Sequence, residues 1–100
     1  MARVTKSRPA RRDIDQITSY IAGRDGVHPA VRWLSDLTTF FDRIVGAPGM
    51  GTSRDKVIAG LRSVPFGDYL VFFRKKRAGI EIVRVIHGAC KWERLLKDMK

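Results

Sequence analysis

Residues 61–88 limit the possible folds more than any other part of this sequence. Two segments within them, 69–73 and 80–86, are rich in strand-forming residues, and their side chains follow a period of two. The link 75–79 combines basic residues with a glycine, which is typical of a hairpin turn. Together with the residues at the start of the stretch, the pattern predicts three short strands that end in a glycine corner at Gly88.

Two helices are predicted before these strands. Ser7 followed by Pro9 is a typical helix start, and apolar residues recur at helical spacing through residues 10–21. A second apolar stripe at the same spacing begins near residue 28 and ends at the glycine-rich residues 46–49. Because the connection between the stripes is short, we expect an antiparallel helix hairpin whose apolar surface packs on the sheet.

Short structured segments are predicted at both ends of the chain. Residues 2–6 indicate a strand around Val4, and the apolar residues of 91–100 recur at helical spacing. The predicted fold class is therefore α+β: a short N-terminal strand, an antiparallel helix hairpin packed on a small, mainly antiparallel sheet, and a short C-terminal helical segment. No repeat or linker divides the 100 residues, so we expect a single domain spanning 1–100.

The charge of the chain points to an anionic partner. Lys and Arg number 20 against 10 Asp and Glu, and the resulting net charge of +10 fits either nucleic acid or an acidic protein segment. Cys90 is the one cysteine, and the sequence contains neither a secretory signal nor an apolar run long enough to span a bilayer. We therefore expect a soluble, cytoplasmic protein without an internal disulfide or a membrane contact.

Motifs that would suggest catalysis or cofactor binding are incomplete. The glycines of residues 46–51 lack the strand and the Gly-Lys-Ser/Thr sequence of a phosphate-binding loop, so a helix end and a turn are the better interpretation. His28, His87 and Cys90 lack the paired spacing of metal ligands. For His87, at the end of the last strand, packing or hydrogen bonding is favoured over proton transfer. The sequence predicts no metal and no cofactor.

Basic residues gather where the predicted strands end. Strict alternation places Arg84 on the same strand face as Ile82 and Ile86, where it can pair with a carboxylate or bind an anion, and pairing is favoured. For the other basic residues, the net charge favours contacts with phosphate or acidic side chains over a merely solvated rim. These residues are Arg62, Arg74, Lys75, Lys76 and Arg77.

Several short sequences follow one another in a characteristic order. They are Ser7-Arg8-Pro9-Ala10, Asp13-Ile14, Ile17, Ala47-Pro48-Gly49-Met50-Gly51, Leu61-Arg62, Tyr69-Leu70-Val71-Phe72-Phe73-Arg74 and Glu81-Ile82-Val83-Arg84-Val85-Ile86-His87-Gly88. In this order they resemble the RelE/ParE superfamily of bacterial toxins, and more closely its ParE branch. The resemblance covers nearly the whole chain and implies the toxin of a type II toxin–antitoxin system, a class of system associated with plasmid stabilisation.

The resemblance also implies a protein partner. This partner is an antitoxin encoded beside the toxin, whose flexible C-terminal segment wraps the toxin and silences it. A basic body with a wide apolar helix hairpin suits a partner that folds on binding, although each aromatic residue of the hairpin, taken singly, fits an ordinary core. The predicted antitoxin-binding residues are Ile14, Ile17, Tyr20, Trp33, Leu37, Phe40, Arg62, Arg74 and Arg84.

The superfamily contains two activities, since its ribonuclease branch cuts mRNA on the ribosome whereas the ParE branch inhibits DNA gyrase. The resemblance aligns the basic catalytic side chains of the ribonuclease branch with Ile58, Gly60 and Tyr69, none of which is basic. Cleavage of RNA needs a base, an acid and cations around the phosphate. The candidates left for a nuclease are Arg62, Arg84 and His87.

The favoured prediction is therefore a noncatalytic toxin that inhibits DNA gyrase by binding it. The predicted target-binding residues are Arg74, Lys75, Lys76, Arg77, His87 and Trp92. A ribosome-dependent mRNA endoribonuclease is the alternative, and a nontoxic nucleic-acid-binding module is the third hypothesis. In the ParE branch an Arg and an acidic residue commonly follow the His-Gly corner, but Cys90 and Lys91 stand here, which leaves the target contacts near that corner open.

Overall fold

The computed structural model describes residues 3–99. Its elements are β1 (Arg3–Lys6), α1 (Arg8–Asp25), α2 (Val27–Gly46), β2 (Thr52–Ser53), β3 (Leu61–Phe66), β4 (Tyr69–Lys76), β5 (Gly79–His87) and α3 (Trp92–Lys97). The five strands form one sheet in the order β1-β5-β4-β3-β2, in which β1 runs parallel to β5 and the other neighbours are antiparallel. The predicted α+β fold class is confirmed. Ala2 and Lys100, at the outer ends of two predicted segments, lie outside the described residues.

The helix hairpin starts and turns at the residues that the sequence indicated. The Ser7 hydroxyl accepts the Ala10 N–H at 3.1 Å and donates to the Val83 carbonyl at 2.7 Å, so the cap of α1 is also bonded to β5. Gly26 alone separates the helices, and its φ of 103° is a conformation that favours glycine. The second helix starts at Val27, one residue earlier than predicted, and ends at Gly46 as predicted.

The β4–β5 turn is tighter than the predicted link of residues 75–79. Lys76 pairs with Gly79, which leaves Arg77 and Ala78 as a two-residue turn. A side chain at Gly79 would collide with the backbone of Arg3 on the neighbouring strand, and glycine therefore permits β1 to pair with β5. The two-residue strand β2 was not predicted, because a segment that short has no detectable period.

Each face of the sheet carries its own apolar core. The helix hairpin covers one face with a cluster centred on buried residues such as Leu37 and Phe41 from α2 and Phe73 from β4. On the other face, Leu96 of α3 is fully buried against Phe72. The C-terminal helix is therefore held by the sheet, as its apolar spacing suggested.

A β-bulge in β5 changes which face its side chains occupy. Phe72 pairs with Arg84 while the next residue, Phe73, pairs with Ile82, so Val83 is an extra residue between two ladder positions. Ile82 belongs to the core under the helix hairpin, whereas Ile86 belongs to the core under α3. The prediction that Ile82, Arg84 and Ile86 share a face was wrong, because one inserted residue reverses the alternation.

Candidate functional site

Arg84 is bound to α1 by a buried ion pair. Its Nε lies 2.7 Å from Oδ2 of Asp13, its Nη2 lies 2.8 Å from Oδ1, and the Val85 N–H donates to Oδ2 at 2.9 Å. The hydrogen bonds with Asp13 raise the pKa of Arg84. The predicted pairing of Arg84 with a carboxylate is confirmed. Because this contact occupies the guanidinium, the geometry does not favour the antitoxin-binding or nuclease role assigned to it.

The three nuclease candidates do not come together. Arg62 donates to the carbonyls of Met50 and Gly51, both at 2.9 Å, and so holds the loop that follows α2. His87 pairs with Tyr69 at one end of β4, while Arg62 pairs with Phe73 four residues further along that strand. Four residues of extended chain span about 13 Å. With Arg84 bound to α1, no single phosphate can contact all three candidate side chains.

An aromatic cleft lies where β5 ends, and its members are Tyr20, Trp33, Phe66, Tyr69 and His87. It encloses about 420 Å³ and also borders Arg24 and the β3–β4 turn. The Trp33 ring meets Phe66 and Tyr69 edge-on at 6.0 and 5.7 Å between centroids, and Tyr69 meets His87 at 5.4 Å. The cleft thus brings predicted antitoxin-binding residues beside a predicted target-binding residue.

Most polar side chains of the aromatic cleft can donate hydrogen bonds, and Asp68 of the β3–β4 turn adds one carboxylate. The Ala89 N–H donates to Nδ1 of His87 at 3.1 Å, which leaves Nε2 as the protonated nitrogen of the neutral ring. Burial raises the pKa of Tyr69, so its hydroxyl stays neutral. Arg24 is held by Asp25 at 2.8 Å and lies over the Tyr20 ring. This arrangement suits hydrogen bonding and stacking with a bound group better than proton transfer.

The helix hairpin exposes an apolar surface of four large side chains, called here the hairpin surface. Their exposed fractions are 58% for Tyr20, 72% for Val27, 59% for Val31 and 41% for Leu34. The three residues from α2 follow the spacing of one helix face. Val31 and Leu34 were missed as surface residues because the long apolar stripe of α2 was assigned to the core as a whole, and Val27 lies before the predicted start of that stripe.

Two of the predicted antitoxin-binding residues expose little surface. Ile14 and Leu37 are buried between the helices and the sheet. Helical spacing identifies the apolar side of a helix but not how much of it the sheet covers. Ile17, Trp33 and Phe40 are partly buried against the same core and keep some surface.

A groove extends the hairpin surface towards the sheet edge. It has a volume of about 540 Å³ and lies between β1 and the two helices, with Leu34, Thr38 and Phe41 on its α2 side and Val4 on its strand side. Because β1 is the edge strand of the sheet, no strand of residues 3–99 lies along its outer edge. Leu34 belongs to both features, so the hairpin surface and the groove are continuous.

Most predicted target-binding residues lie at the opposite end of the sheet from the aromatic cleft. Arg74 and Lys76 contact the same carboxylate oxygen of Glu81 at 2.7 and 3.7 Å, whereas Lys75 and Arg77 are exposed. Trp92, another predicted target-binding residue, is half-buried. Its ring packs on Phe72 and lies under the Arg54 guanidinium, so it anchors α3 to the sheet.

The order and content of these elements agree with one known family. A sequence profile described as the ParE toxin of the type II toxin–antitoxin system parDE matches residues 4–92. The chain belongs to the ParE toxin family. The predicted resemblance to the ParE branch is confirmed, and with it the toxin component of a type II toxin–antitoxin system.

Individual ParE proteins show the same relationship. Toxin ParE1 of Caulobacter vibrioides is 36% identical over 81 residues, which cover 81% of this chain and 83% of that protein. Toxin ParE3 of the same species is 27% identical over 88 residues, or 88% of each protein. The solved structure of a chromosomal ParDE TA system from P. aeruginosa matches with a TM-score of 0.72 and 21% identity over 87% of this chain and 96% of that chain. This last likeness concerns the fold.

The two residues that depart from the common ParE pattern lie in a turn. Cys90 is exposed, and its N–H donates to the His87 carbonyl at 3.0 Å. Lys91 precedes the first residue of α3 and makes no side-chain cap. Both residues therefore connect β5 to α3 beside the aromatic cleft without closing it.

Residues 3–99 of this ParE chain form three helices. None of their helices is both long and apolar enough to cross a membrane. In the same part of the chain, His, Cys, Asp and Glu side chains do not gather into groups of three or more that would suit a metal ion.

Proposed function

We propose that this ParE-family chain inhibits DNA gyrase by binding it and performs no chemistry of its own. The observation that carries the proposal is the separation of Arg62, Arg84 and His87, two of which are bound to other parts of the protein. Catalysis of RNA cleavage requires groups that converge on one phosphate. Membership of the ParE family supports gyrase as the proposed target, and the proposed site of action is the cytoplasm.

A cognate antitoxin is the second part of the proposal. The hairpin surface exposes four large apolar side chains to solvent, and the adjoining groove enlarges that surface. Exposed apolar surfaces of this kind commonly mark protein–protein contacts. A flexible segment that folds on binding can cover both. The basic side chains beside the groove, Lys6 and Arg11, favour a segment that carries acidic residues among its apolar ones.

The aromatic cleft is the proposed contact with gyrase. His87 is exposed at its rim and offers a ring N–H, while the Tyr69 and Trp33 rings offer stacking surfaces inside it. Aromatic side chains in such pockets commonly dominate binding energy at interfaces. Tyr20 is exposed on α1 and also lines the cleft, so an antitoxin segment that covers Tyr20 would obstruct the cleft.

The test is a supercoiling assay with purified gyrase and relaxed plasmid, in which the toxin is added alone or with the product of the neighbouring gene. We expect the toxin to block supercoiling and to trap cleaved DNA, and the neighbouring product to relieve both effects. Full supercoiling in the presence of a large excess of toxin would contradict the proposal. Cleavage of mRNA in a translating ribosome preparation would then identify the chain as a nuclease.

A further inference from the structure

The β4–β5 turn and the start of β1 form a second charged surface, the basic tip, which consists of Arg3, Arg74, Lys75, Lys76 and Arg77. Arg3 and Lys76 both pair with Gly79, from opposite sides. Two strand spacings therefore separate their Cα atoms by about 10 Å. Gly79 between them has no side chain, so two cationic side chains flank a strip of bare backbone.

Glu81 is the one carboxylate within the basic tip. It is shared by Arg74 and Lys76, which it holds in place without neutralising both. Within residues 3–99, Arg3, Lys75 and Arg77 form no ion pair with an acidic side chain. The basic tip thus carries a net positive charge that the protein itself leaves uncompensated.

The surroundings of the basic tip do not suit a protein segment. A cavity beside it, of about 340 Å³, is lined by Val45 and Pro48 and otherwise by the turn itself. The exposed large apolar side chains of the hairpin surface lie elsewhere, since Val31 is fourteen residues from Val45 along α2, or about 21 Å. Stable protein–protein contacts need buried apolar or aromatic anchors, whereas flexible cations alone bind a phosphate backbone.

We propose that the basic tip binds the phosphate backbone of duplex DNA directly and without sequence preference. Long Lys and Arg side chains around a narrow turn can reach phosphates on the outside of a duplex, and each contact releases condensed counterions. The proposal is independent of the gyrase target, because it concerns the toxin and DNA alone. If the toxin acts on gyrase that is bound to DNA, this contact would make it bind the gyrase–DNA complex more tightly than gyrase alone.

The test measures binding of the purified toxin to a fluorescently labelled duplex by anisotropy over a range of salt concentrations. Three to four phosphate contacts predict a slope of log K against log salt of about −3. In the Lys75→Gln/Arg77→Gln variant we expect the slope to weaken by about 2 units and the affinity at 0.1 M salt to fall about ten-fold or more. Lys75→Arg/Arg77→Lys keeps both charges and should bind as the unchanged toxin does.

The matched control removes two exposed charges away from the basic tip, in Arg12→Gln/Arg32→Gln. Far-ultraviolet circular dichroism establishes that all variants are folded. The proposal predicts that the control keeps its affinity within about two-fold. Equal losses of DNA affinity in Lys75→Gln/Arg77→Gln and in the control would mean that binding follows net charge. Unchanged DNA affinity of Lys75→Gln/Arg77→Gln would exclude the basic tip as the binding site. Either result overturns the proposal. Tighter binding to a poly-glutamate peptide of equal charge than to DNA would overturn it in favour of an acidic protein partner.

Discussion

Loss of one partner of the ion pair between Asp13 and Arg84 is predicted to destabilise this fold strongly. In Asp13→Ala the carboxylate that accepts both guanidinium bonds and the Val85 N–H disappears. The side chains of Arg84 and Asp13 are only 16% and 10% exposed, so little water can replace the lost contacts. The variant therefore leaves a mostly buried cation and a buried backbone N–H without a partner.

The size of the effect follows from these two losses. Removing one partner of a buried ion pair costs about 3–5 kcal/mol, and part of the cost of the unsatisfied N–H is already included in that range. We therefore expect the free energy of unfolding to fall by about 4 kcal/mol, a large share of the 5–15 kcal/mol typical of small domains. For a chain of this length the melting temperature should fall by about 15–30 °C.

The assay is urea unfolding followed by tryptophan fluorescence, with Asp15→Ala as the matched control. Asp15 is exposed on the same helix, and its replacement should change the free energy of unfolding by less than about 0.5 kcal/mol. The double variant Asp13→Ala/Arg84→Met removes the buried cation as well and should recover part of the loss. A loss below about 1 kcal/mol in Asp13→Ala would refute the reasoning, because the pair would then be one of the weak surface type.

Two further predictions concern the hairpin surface and the aromatic cleft. Val31→Asp should weaken antitoxin binding at least about ten-fold in calorimetric titration, because it places a charge in the proposed apolar contact. The exposed control Thr39→Asp should leave binding unchanged. Equal antitoxin binding by the two variants would exclude this face as the contact. The Tyr69 hydroxyl should ionise above its ordinary pKa of 10.0, because burial penalises the phenolate. The difference in tyrosinate absorbance between the protein and Tyr69→Phe measures this step, and a midpoint at or below 10.0 would contradict the predicted cause.

The sequence was sufficient for the elements other than the two-residue strand β2, but not for the faces of β5. Ser7 and the glycines around the helices marked the ends of α1 and α2 because caps and turns depend on local chemistry. The bulge at Val83 depends instead on a contact from α1, where Asp13 bonds the Val85 N–H and Ser7 bonds the Val83 carbonyl. No local pattern within β5 contains that information, so strict alternation gave the wrong position for Ile86.

The candidate surfaces were harder to predict than the fold, for a related reason. Helical spacing identified Leu37 and Val31 alike as members of one apolar stripe, yet the sheet buries the first and leaves the second exposed. Spacing gives the direction of a side chain around the helix, while burial depends on where the sheet ends. Trp92 shows the same limit, because only the packing of α3 on Phe72 reveals that its ring is an internal contact.

The basic residues behind the net charge of +10 differ in whether a contact neutralises them, fixes their position or leaves them free to move. Arg84 is neutralised by Asp13, whereas Arg62 donates to carbonyl groups, which fix its position and leave its charge intact. A cation held in this way contributes to the field around the protein but cannot move to meet a partner. Lys75 and Arg77 are exposed, and no carboxylate of residues 3–99 holds them, so they can reorient towards a phosphate. Mobility as well as charge therefore distinguishes the basic tip from Arg62 and Arg84 as a place where the protein would meet an anionic partner.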